Sequence, residues 1–589
     1  MFRRSFFFGS EQGRENAVLV TKEDLYGENC GYGFVTEKNR RKYPLLQIPE
    51  LNAGFDTVYW YRGEDITRIG QTSKGCYVEG EYAGCEAGWK IPLCFKADVP
   101  RQGNYRVTIV IEPDSDIKDV AVFTGRRHLL IRVDHLIAHE VFKRTTIVNV
   151  CDIVPRGKTR VHEDKSIDIA VTADHPCISA LEIEEVALPT IYIAGDSTVT
   201  DQSAAYPYAP GASYAGWGQM LDAFLGCGAG VSNHSHSGLT TESFRKEGHY
   251  AVIEQYSKPK DYFFFQFGHN DQKLDHLKAR DGYFNNLAAY ISECREKGAF
   301  PLLVTPVARN SWKGSDGSYN DMLSEYARVC YELGEEMEIP VIGLHERSME
   351  FIKGLGLEGA KKYFYPNDFT HNNDYGAYKM AQFVAEEIVT TCKEHAIAAY
   401  RQLADCIISE QDEWGPLNKT RLLEKPKAYA DIADPEKEEK LFENLENPEE
   451  LICRAEALDF VIKMARFFPI NVYNDMFDDV VGHEWYAGTV ECAYINGIIM
   501  PEMCDGKLFH PKNPVTLEEF IVFAMNGYKS RRLLPMEKPC CYDGQTQKYT
   551  RPFVRAAYTL GVLDKNGGEA MQAKISRGRA AQICKALQV

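Results

Sequence analysis

At 589 residues the chain is too long for a single ordinary core, since domains run to roughly 150 residues, and several modules are expected. With 44% hydrophobic and 26% charged residues it has a globular balance, and no run of about 18 apolar residues is present to cross a bilayer. A formal charge of −17 opposes phosphate backbones and anionic lipid, so neither nucleic acid nor membrane is an expected partner.

The opening "MFRRSFFFGSEQGREN" breaks its apolar run at Gly9 and turns charged, so the apolar region of a signal peptide is missing. The seventeen cysteines form no C-x-x-C pair, and only Cys540 and Cys541 are adjacent, which suits reduced thiols. Both features lead to an expected cytoplasmic location, with the cell surface as the alternative if a leader has been removed.

From about 55 to 188 the chain reads as short alternating runs split by turns: "YRVTIVIEP" (105–113), "DVAVFTG" (119–125), "TTIVNVCDIVP" (145–155), "SIDIAVTAD" (166–174) and "ISALEIEEVAL" (178–188). Period-two alternation at this spacing predicts an antiparallel β-sandwich over 1–188. From 190 the strands are apolar throughout, as in "TIYIAG", "DYFFFQFG" (261–268), "PLLVTPV" (301–307) and "IPVIGLH" (339–345). Such strands are buried on both faces, so an α/β domain with a parallel sheet is predicted over 189–400. Trp217, Met220, Leu221, Phe224 and Leu225 recur at helical spacing, as do Ala377, Met380, Ala381, Val384 and Ile388 after Tyr375.

Charge dominates 401–450 ("DPEKEEKLFENLENPEE"), read as a linker or exposed helix. Over 451–589 "VECAYINGII" (490–499) recurs as "VRAAYTLGVL" (554–563), which predicts an all-α repeat module.

Candidate chemistry lies in the middle region. "IYIAGDSTVTDQ" (191–202) ends a strand at Gly195-Asp196-Ser197, where Ser197 is either a nucleophile or, with Asp196, a turn residue capping the next helix. Val199 stands where the nucleophile elbow G-x-S-x-G needs its second glycine, which disfavours an ordinary α/β-hydrolase. A serine nucleophile needs a histidine to take its proton and an acid to orient that histidine. "YPNDFTHNNDYGAYKMA" offers both in Asp368 and His371, although D-x-x-H alone also suits a surface loop.

Oxyanion donors are expected from "NHSHSGLTTESFRKEG" (233–248), where Gly238 permits close backbone approach and Thr240 or Thr241 caps a helix. Asn270 in "QFGHNDQK" (266–273) is a second source. Ser197, Asn270 and Gly238 each follow a strand on one edge of the sheet, the edge where ligands bind in open parallel folds. The histidines at 234, 236 and 249 lack the carboxylate or cysteine partners of a metal site.

The ordered set GDSTVTDQ, GWGQML, HSGLTTESFRKEG, FFFQFGHNDQK, LLVTPVAR and DFTHNNDYGA, spanning about 190–395, resembles the SGNH (GDSL-type) hydrolases, most closely their rhamnogalacturonan acetylesterase branch. The resemblance implies a flavodoxin-like α/β/α sandwich with Ser197 as nucleophile, His371 as base and Asp368 as its orienting acid. It also implies an oxyanion hole from Ser197, Gly238 and Asn270, with neither cofactor nor metal. Asp196, Trp217 and His269 are the further candidates for contact with an acetylated carbohydrate, pectic by preference. Leu239 and Thr240 follow Gly238 where the branch often has Arg and Ser. Alternatives are an esterase for xylan, mannan or other small acyl esters, or a polysaccharide-binding surface protein.

The N-terminal region, with "GYGF" (31–34), resembles galactose-binding-like domains, in which Trp60, Tyr61 and Trp89 would either stack on a sugar or fill the core. The C-terminal repeat resembles surface-layer homology domains. Its T-R-A-E signature is altered at Cys453, Leu517 and Gly578-Arg579, so a role in structure, substrate access or homo-oligomer formation is expected instead of wall binding.

Overall fold

The computed structural model describes residues 2–10, 16–27, 30–36, 60–62, 67–79, 90–155, 160–313, 318–415, 442, 445–467, 469–470, 476–482, 484–536 and 538–588. They fall into two compact units, one joining Met1–Arg309 with Met322–Leu422 and the other joining Asn310–Asp321 with Leu423–Val589.

The first unit begins with two five-stranded sheets. One runs in the order Phe142–Val150, Gly103–Ile111, Ala180–Val186, Arg3–Phe7, Val18–Leu19, antiparallel except at its last pair. The other runs His128–Leu136, Ile117–Thr124, Ser166–Thr172, Leu93–Asp98, Tyr32–Phe34, antiparallel throughout. Their inward residues join one hydrophobic cluster, and Phe6 of the first sheet meets Phe95 of the second edge to face at 5.1 Å. The opening "RRSFF" is therefore a paired strand. Trp60 is wholly buried against Phe123 and Tyr208, so of its two readings it fills the core; the Tyr61 side chain and Trp89 lie outside the described residues.

A third five-stranded sheet is parallel, in the order Gly230–Asn233, Thr190–Gly195, Tyr262–Gln266, Phe300–Val304, Val341–Ile342. Its side chains alternate between two cores. Ile191, Ile193, Tyr262 and Phe264 enter the cluster shared with the sandwich and the helix Asp374–Cys392. Tyr192, Ala194, Phe263 and Phe265 enter a second cluster with the helices His249–Tyr256, Phe284–Glu296 and Ser324–Glu336. Burial on both faces is why these strands read as unbroken apolar runs.

Two sequence expectations need correction. Trp217 to Leu225 forms two short 3-10 turns, Trp217–Gln219 and Leu221–Phe224, in place of one α-helix. The same spacing still buries Trp217, Met220, Leu221 and Phe224, while Asp222 is drawn to His128. The linker also begins later than 401. Ala398–Asp405 is a helix whose Tyr400 hydroxyl donates to the Pro301 carbonyl at 2.9 Å, and Trp414 is buried against Phe123 and Tyr378. Compactness likewise joins the 1–188 and 189–400 segments in one unit.

In the second unit the repeat encodes a helix and its stop. Ala487–Ile495 ends at Gly497 (φ +67°) and Arg551–Thr559 at Gly561 (φ +75°), with Ile498 and Val562 donating back to Ala493 and Ala557. The left-handed turn explains the repeated glycine.

Within the first unit His128 lies between Asp201 (Nε2 to Oδ2, 3.0 Å) and Asp222 (Nδ1 to Oδ2, 2.8 Å). Burial acts to lower its imidazole, but the two carboxylates outweigh it and raise the pKa from 6.5 to about 9. A raised pKa contributes stability that is full below 6.5 and is lost as pH rises through about 9. We therefore expect His128→Asn to lower Tm at neutral pH, with the gap to wild type closing by about pH 10; a gap constant across that range would contradict a charged His128.

Candidate active site

The strand Thr190–Gly195 lies between two neighbours and leaves the sheet at Gly195. A Cβ at Gly195 would lie 2.7 Å from the Gln266 carbonyl oxygen and 2.8 Å from Val199 Cγ2, so the chain can fold back here only as glycine. In the turn that follows, Asp196 points inward. Its Oδ1 accepts from the Thr198 N–H (2.9 Å) and hydroxyl (2.8 Å), and its Oδ2 lies 3.2 Å from His269 Nδ1. Burial raises the Asp196 carboxyl, yet His269 and the Thr198 donors together hold it below the ordinary value. Gln266 completes the frame, donating to Thr198 Oγ1 at 2.9 Å and accepting from Trp217 Nε1 at 2.8 Å. Ser197 is left at the surface of this turn, 7% exposed.

The loop before the helix Asp374–Cys392 supplies the partners. His371 Nε2 lies 2.8 Å from Ser197 Oγ, and its Nδ1 lies 2.8 Å from Asp368 Oδ2. The other Asp368 oxygen accepts the backbone N–H groups of Thr370 (2.8 Å) and His371 (2.9 Å). Burial pushes the Asp368 carboxyl up, but the His371 contact and these N–H donors outweigh it and hold the group below the usual carboxylate range. Asp368 is therefore ionised near neutrality and orients the imidazole. Asn373 anchors the loop: it caps the helix by accepting from Gly376 N–H at 3.0 Å and donates to the Lys362 and Phe364 carbonyls.

Two further loops reach the same edge of the sheet. Gly238 is exposed with φ +86°, and no atom lies within 4 Å of where its Cβ would stand. Asn270 is half-buried, and its Nδ2 donates to the Leu239 carbonyl at 3.0 Å, which ties the amide to the glycine loop. That bond uses one of the two amide protons. Thr240 Oγ1 accepts from the Ser243 N–H at 3.0 Å as expected of a cap, whereas Thr241 is bound by Asp271.

Asp196, Trp217 and His269 do not present substrate surface. All three are buried, with Asp196 and Trp217 bound within the frame and His269 turned toward Asp196, which corrects their assignment as substrate contacts. Burial lowers the His269 pKa despite Asp196, so the ring is a neutral structural partner. Residues not singled out from the sequence do take part. Asp271 Oδ1 accepts from the Thr241 N–H and hydroxyl at 2.9 and 2.6 Å while Oδ2 accepts the Gly268 N–H, locking the Gly238 and Asn270 loops together. Its place directly after Asn270 was the available signal. Tyr214 stands edge-on to the His371 ring at 5.9 Å and stacks on Tyr365 at 3.6 Å. Among the described residues no group of three His, Cys, Asp or Glu side chains is placed to hold a metal ion.

The rhamnogalacturonan acetylesterase RhgT of Bacillus subtilis is 34% identical over 224 residues, which cover 35% of this chain and 94% of that protein. The chain belongs to the SGNH, or GDSL-type, hydrolases, in their rhamnogalacturonan acetylesterase branch. As a member of that family it is an ester hydrolase. A second relative, the uncharacterized esterase YxiM of Bacillus subtilis, is 30% identical over 397 residues, covering 67% of this chain and 92% of its own. The YxiM crystal structure covers 66% of this chain and 98% of its own at 24% identity, with a TM-score of 0.33. The acetylxylan esterase Axe2 of Geobacillus stearothermophilus covers 34% of this chain and 93% of its own at 19% identity, with a TM-score of 0.26. No family model matches the chain.

From this geometry Asp368→Asn is expected to lower kcat by about 10²–10⁴-fold, because it removes the group that orients and charges against the imidazole. Asn270→Ala is expected to lower kcat by about 10²–10³-fold with little change in KM. Wild-type kcat in either variant would contradict the roles assigned to that residue.

Proposed function

We propose that the chain is a serine carbohydrate O-acetylesterase acting on acetylated oligosaccharides derived from plant polysaccharide, with pectic, rhamnogalacturonan-type substrates preferred. The observation that carries the serine mechanism is the hydrogen-bonded series Ser197–His371–Asp368 at the carboxyl edge of the sheet. Ser197 Oγ attacks the acetyl carbonyl carbon as its proton passes to His371 Nε2. The negative oxygen is met by the backbone N–H groups of Ser197 and Gly238 and by the Asn270 amide. Collapse expels the sugar oxygen, which takes the proton from His371 and leaves acetyl-Ser197. Water then attacks the acetyl carbonyl, giving its proton to His371; acetate leaves and Ser197 Oγ recovers the proton.

The carbohydrate reading is supported by two relatives bearing the name rhamnogalacturonan acetylesterase, RhgT and the probable enzyme YesY, at 34% identity each. The stacked, partly exposed Tyr214–Tyr365 pair beside His371 fits it too, since flat aromatic surface beside the reacting hydroxyl is the kind of surface a pyranose ring covers. The described cysteines are free thiols, which fits a reducing compartment and hence oligosaccharides in preference to intact polymer.

Acetate release from a panel of acetylated pectic, xylan and mannan oligosaccharides tests the assignment, with Ser197→Ala as control. The proposal expects release to be fastest on the pectic members and abolished by the substitution. No release from any member, together with nitrophenyl ester activity peaking at eight or more carbons, would assign the site to long-chain acyl esters instead.

A further inference from the structure

The turn joining the sandwich strands Ile117–Thr124 and His128–Leu136 reads Gly125-Arg126-Arg127-His128, with Gly125 and Arg127 both at positive φ. This left-handed turn directs three basic side chains out of the sandwich and into the α/β half of the same compact unit. Each meets an element that carries a triad residue or its support.

Arg127 is wholly buried. Its Nη1 pairs with Asp374, three residues beyond His371, and its Nη2 donates to the Tyr214 carbonyl. Its Nε donates at 3.1 Å to the carbonyl of Gln202, on the segment that leaves the Ser197 turn. One guanidinium therefore holds the histidine loop and the serine turn at once, and its planar fork fixes their separation. Tyr214, held by the same group, is the residue stacked on Tyr365 and set edge-on to His371, with its hydroxyl 3.4 Å from Asp368 Oδ2.

Arg126 secures the serine side. Its Nε donates to Asp201 Oδ2 at 2.6 Å and its Nη2 to the Asn233 carbonyl. Asn233 Nδ2 itself donates to the Val199 carbonyl at 2.8 Å and to Asp201 Oδ1 at 2.7 Å, binding the Ser197 turn to the neighbouring strand, and the sandwich's arginine braces both Asn233 and Asp201.

We propose that the β-sandwich is a working part of the esterase, in which Arg127 is a positioning residue that clamps the Asp368–His371 loop against the Ser197 turn and Arg126 secures the turn. The inference deepens the serine mechanism proposed above and rests on it. Arg127 is wholly buried and acts through the distance between Ser197 Oγ and His371 Nε2; misplacing reacting groups by about 1 Å costs on the order of 10²-fold in rate.

The test compares Arg127→Gln, Arg127→Lys and Arg126→Gln in the full chain with Lys96→Gln. Lys96 forms a buried pair with Asp168 inside the sandwich (3.2 Å), so its loss disturbs that module while leaving the Arg127 contacts described above in place. Acetate release is followed well below each variant's Tm. Arg127→Gln is expected to lower kcat about 10²-fold with KM within about threefold of wild type. Arg127→Lys should recover part of that loss, because an ammonium keeps the charge but cannot bridge both segments. Lys96→Gln should keep wild-type kcat at a lowered Tm. The clamp is refuted if Arg127→Gln keeps wild-type kcat, or if Lys96→Gln loses as much rate as Arg127→Gln. Should Arg127→Gln not fold, the partly exposed Arg126 decides: an unchanged kcat in Arg126→Gln refutes the clamp and a fall with constant KM supports it. Ser197→Ala separates the two claims, since hydrolysis surviving that substitution overturns the serine mechanism itself, whereas its loss beside an unaffected Arg127→Gln overturns only the clamp.

Discussion

A serine hydroxyl at neutral pH is a poor nucleophile unless an imidazole nitrogen stays within hydrogen-bonding reach of it. Here that contact is 2.8 Å long and joins residues 174 positions apart. The rest of the first unit can be understood as what holds it. The parallel sheet brings the carboxyl ends of Thr190–Gly195, Gly230–Asn233 and Tyr262–Gln266 level with one another, and the loops leaving those ends carry Ser197, Gly238 and Asn270. The imidazole comes from a fourth loop, whose shape is set by Asn373, by Asp368 and by the buried start of the helix Asp374–Cys392.

Much of the polar chemistry around the site serves rigidity. Asp196 joins His269 and Thr198, Thr198 joins Gln266 and Gln266 joins Trp217, which makes a buried polar network beneath the serine turn. Buried polar groups impose one arrangement when they are paired, and this one leaves the Ser197 hydroxyl as the member turned toward the cleft. Asp271 does the same for the oxyanion loops, at the cost of a carboxyl that burial drives up to about 6.

The parallel sheet was legible because apolar runs such as "YFFFQF" require burial on both faces, and the helix from 374 was legible from its apolar stripe. The geometry of Ser197, Asp368 and His371 was legible because each residue type has a chemical partner it needs, and strand ends are where an open sheet brings partners together. Trp217 to Leu225 misled because period and burial alone do not distinguish an α-helix from two 3-10 turns. Asp196, Trp217 and His269 misled because a residue beside a catalytic group in sequence can point into the protein, and only the three-dimensional frame shows which way it faces. The strand His128–Leu136 went unread because "HLLIRVDHL" mixes charge into an apolar run. Its arginine-rich turn carried no sign of its destination, since Asp374 lies 247 residues from Arg127. Long-range polar contacts of this kind have no local periodicity to betray them.

The central claim is that Ser197 is the nucleophile, and the most direct measurement is stoichiometric labelling with a fluorophosphonate, which reacts only with an activated hydroxyl and mimics the tetrahedral intermediate. The account predicts one label per chain, located by peptide mass spectrometry on the segment containing Ser197, with activity lost in proportion to labelling. Full esterase activity in the labelled protein, or inactivation with the label on another residue, would contradict it.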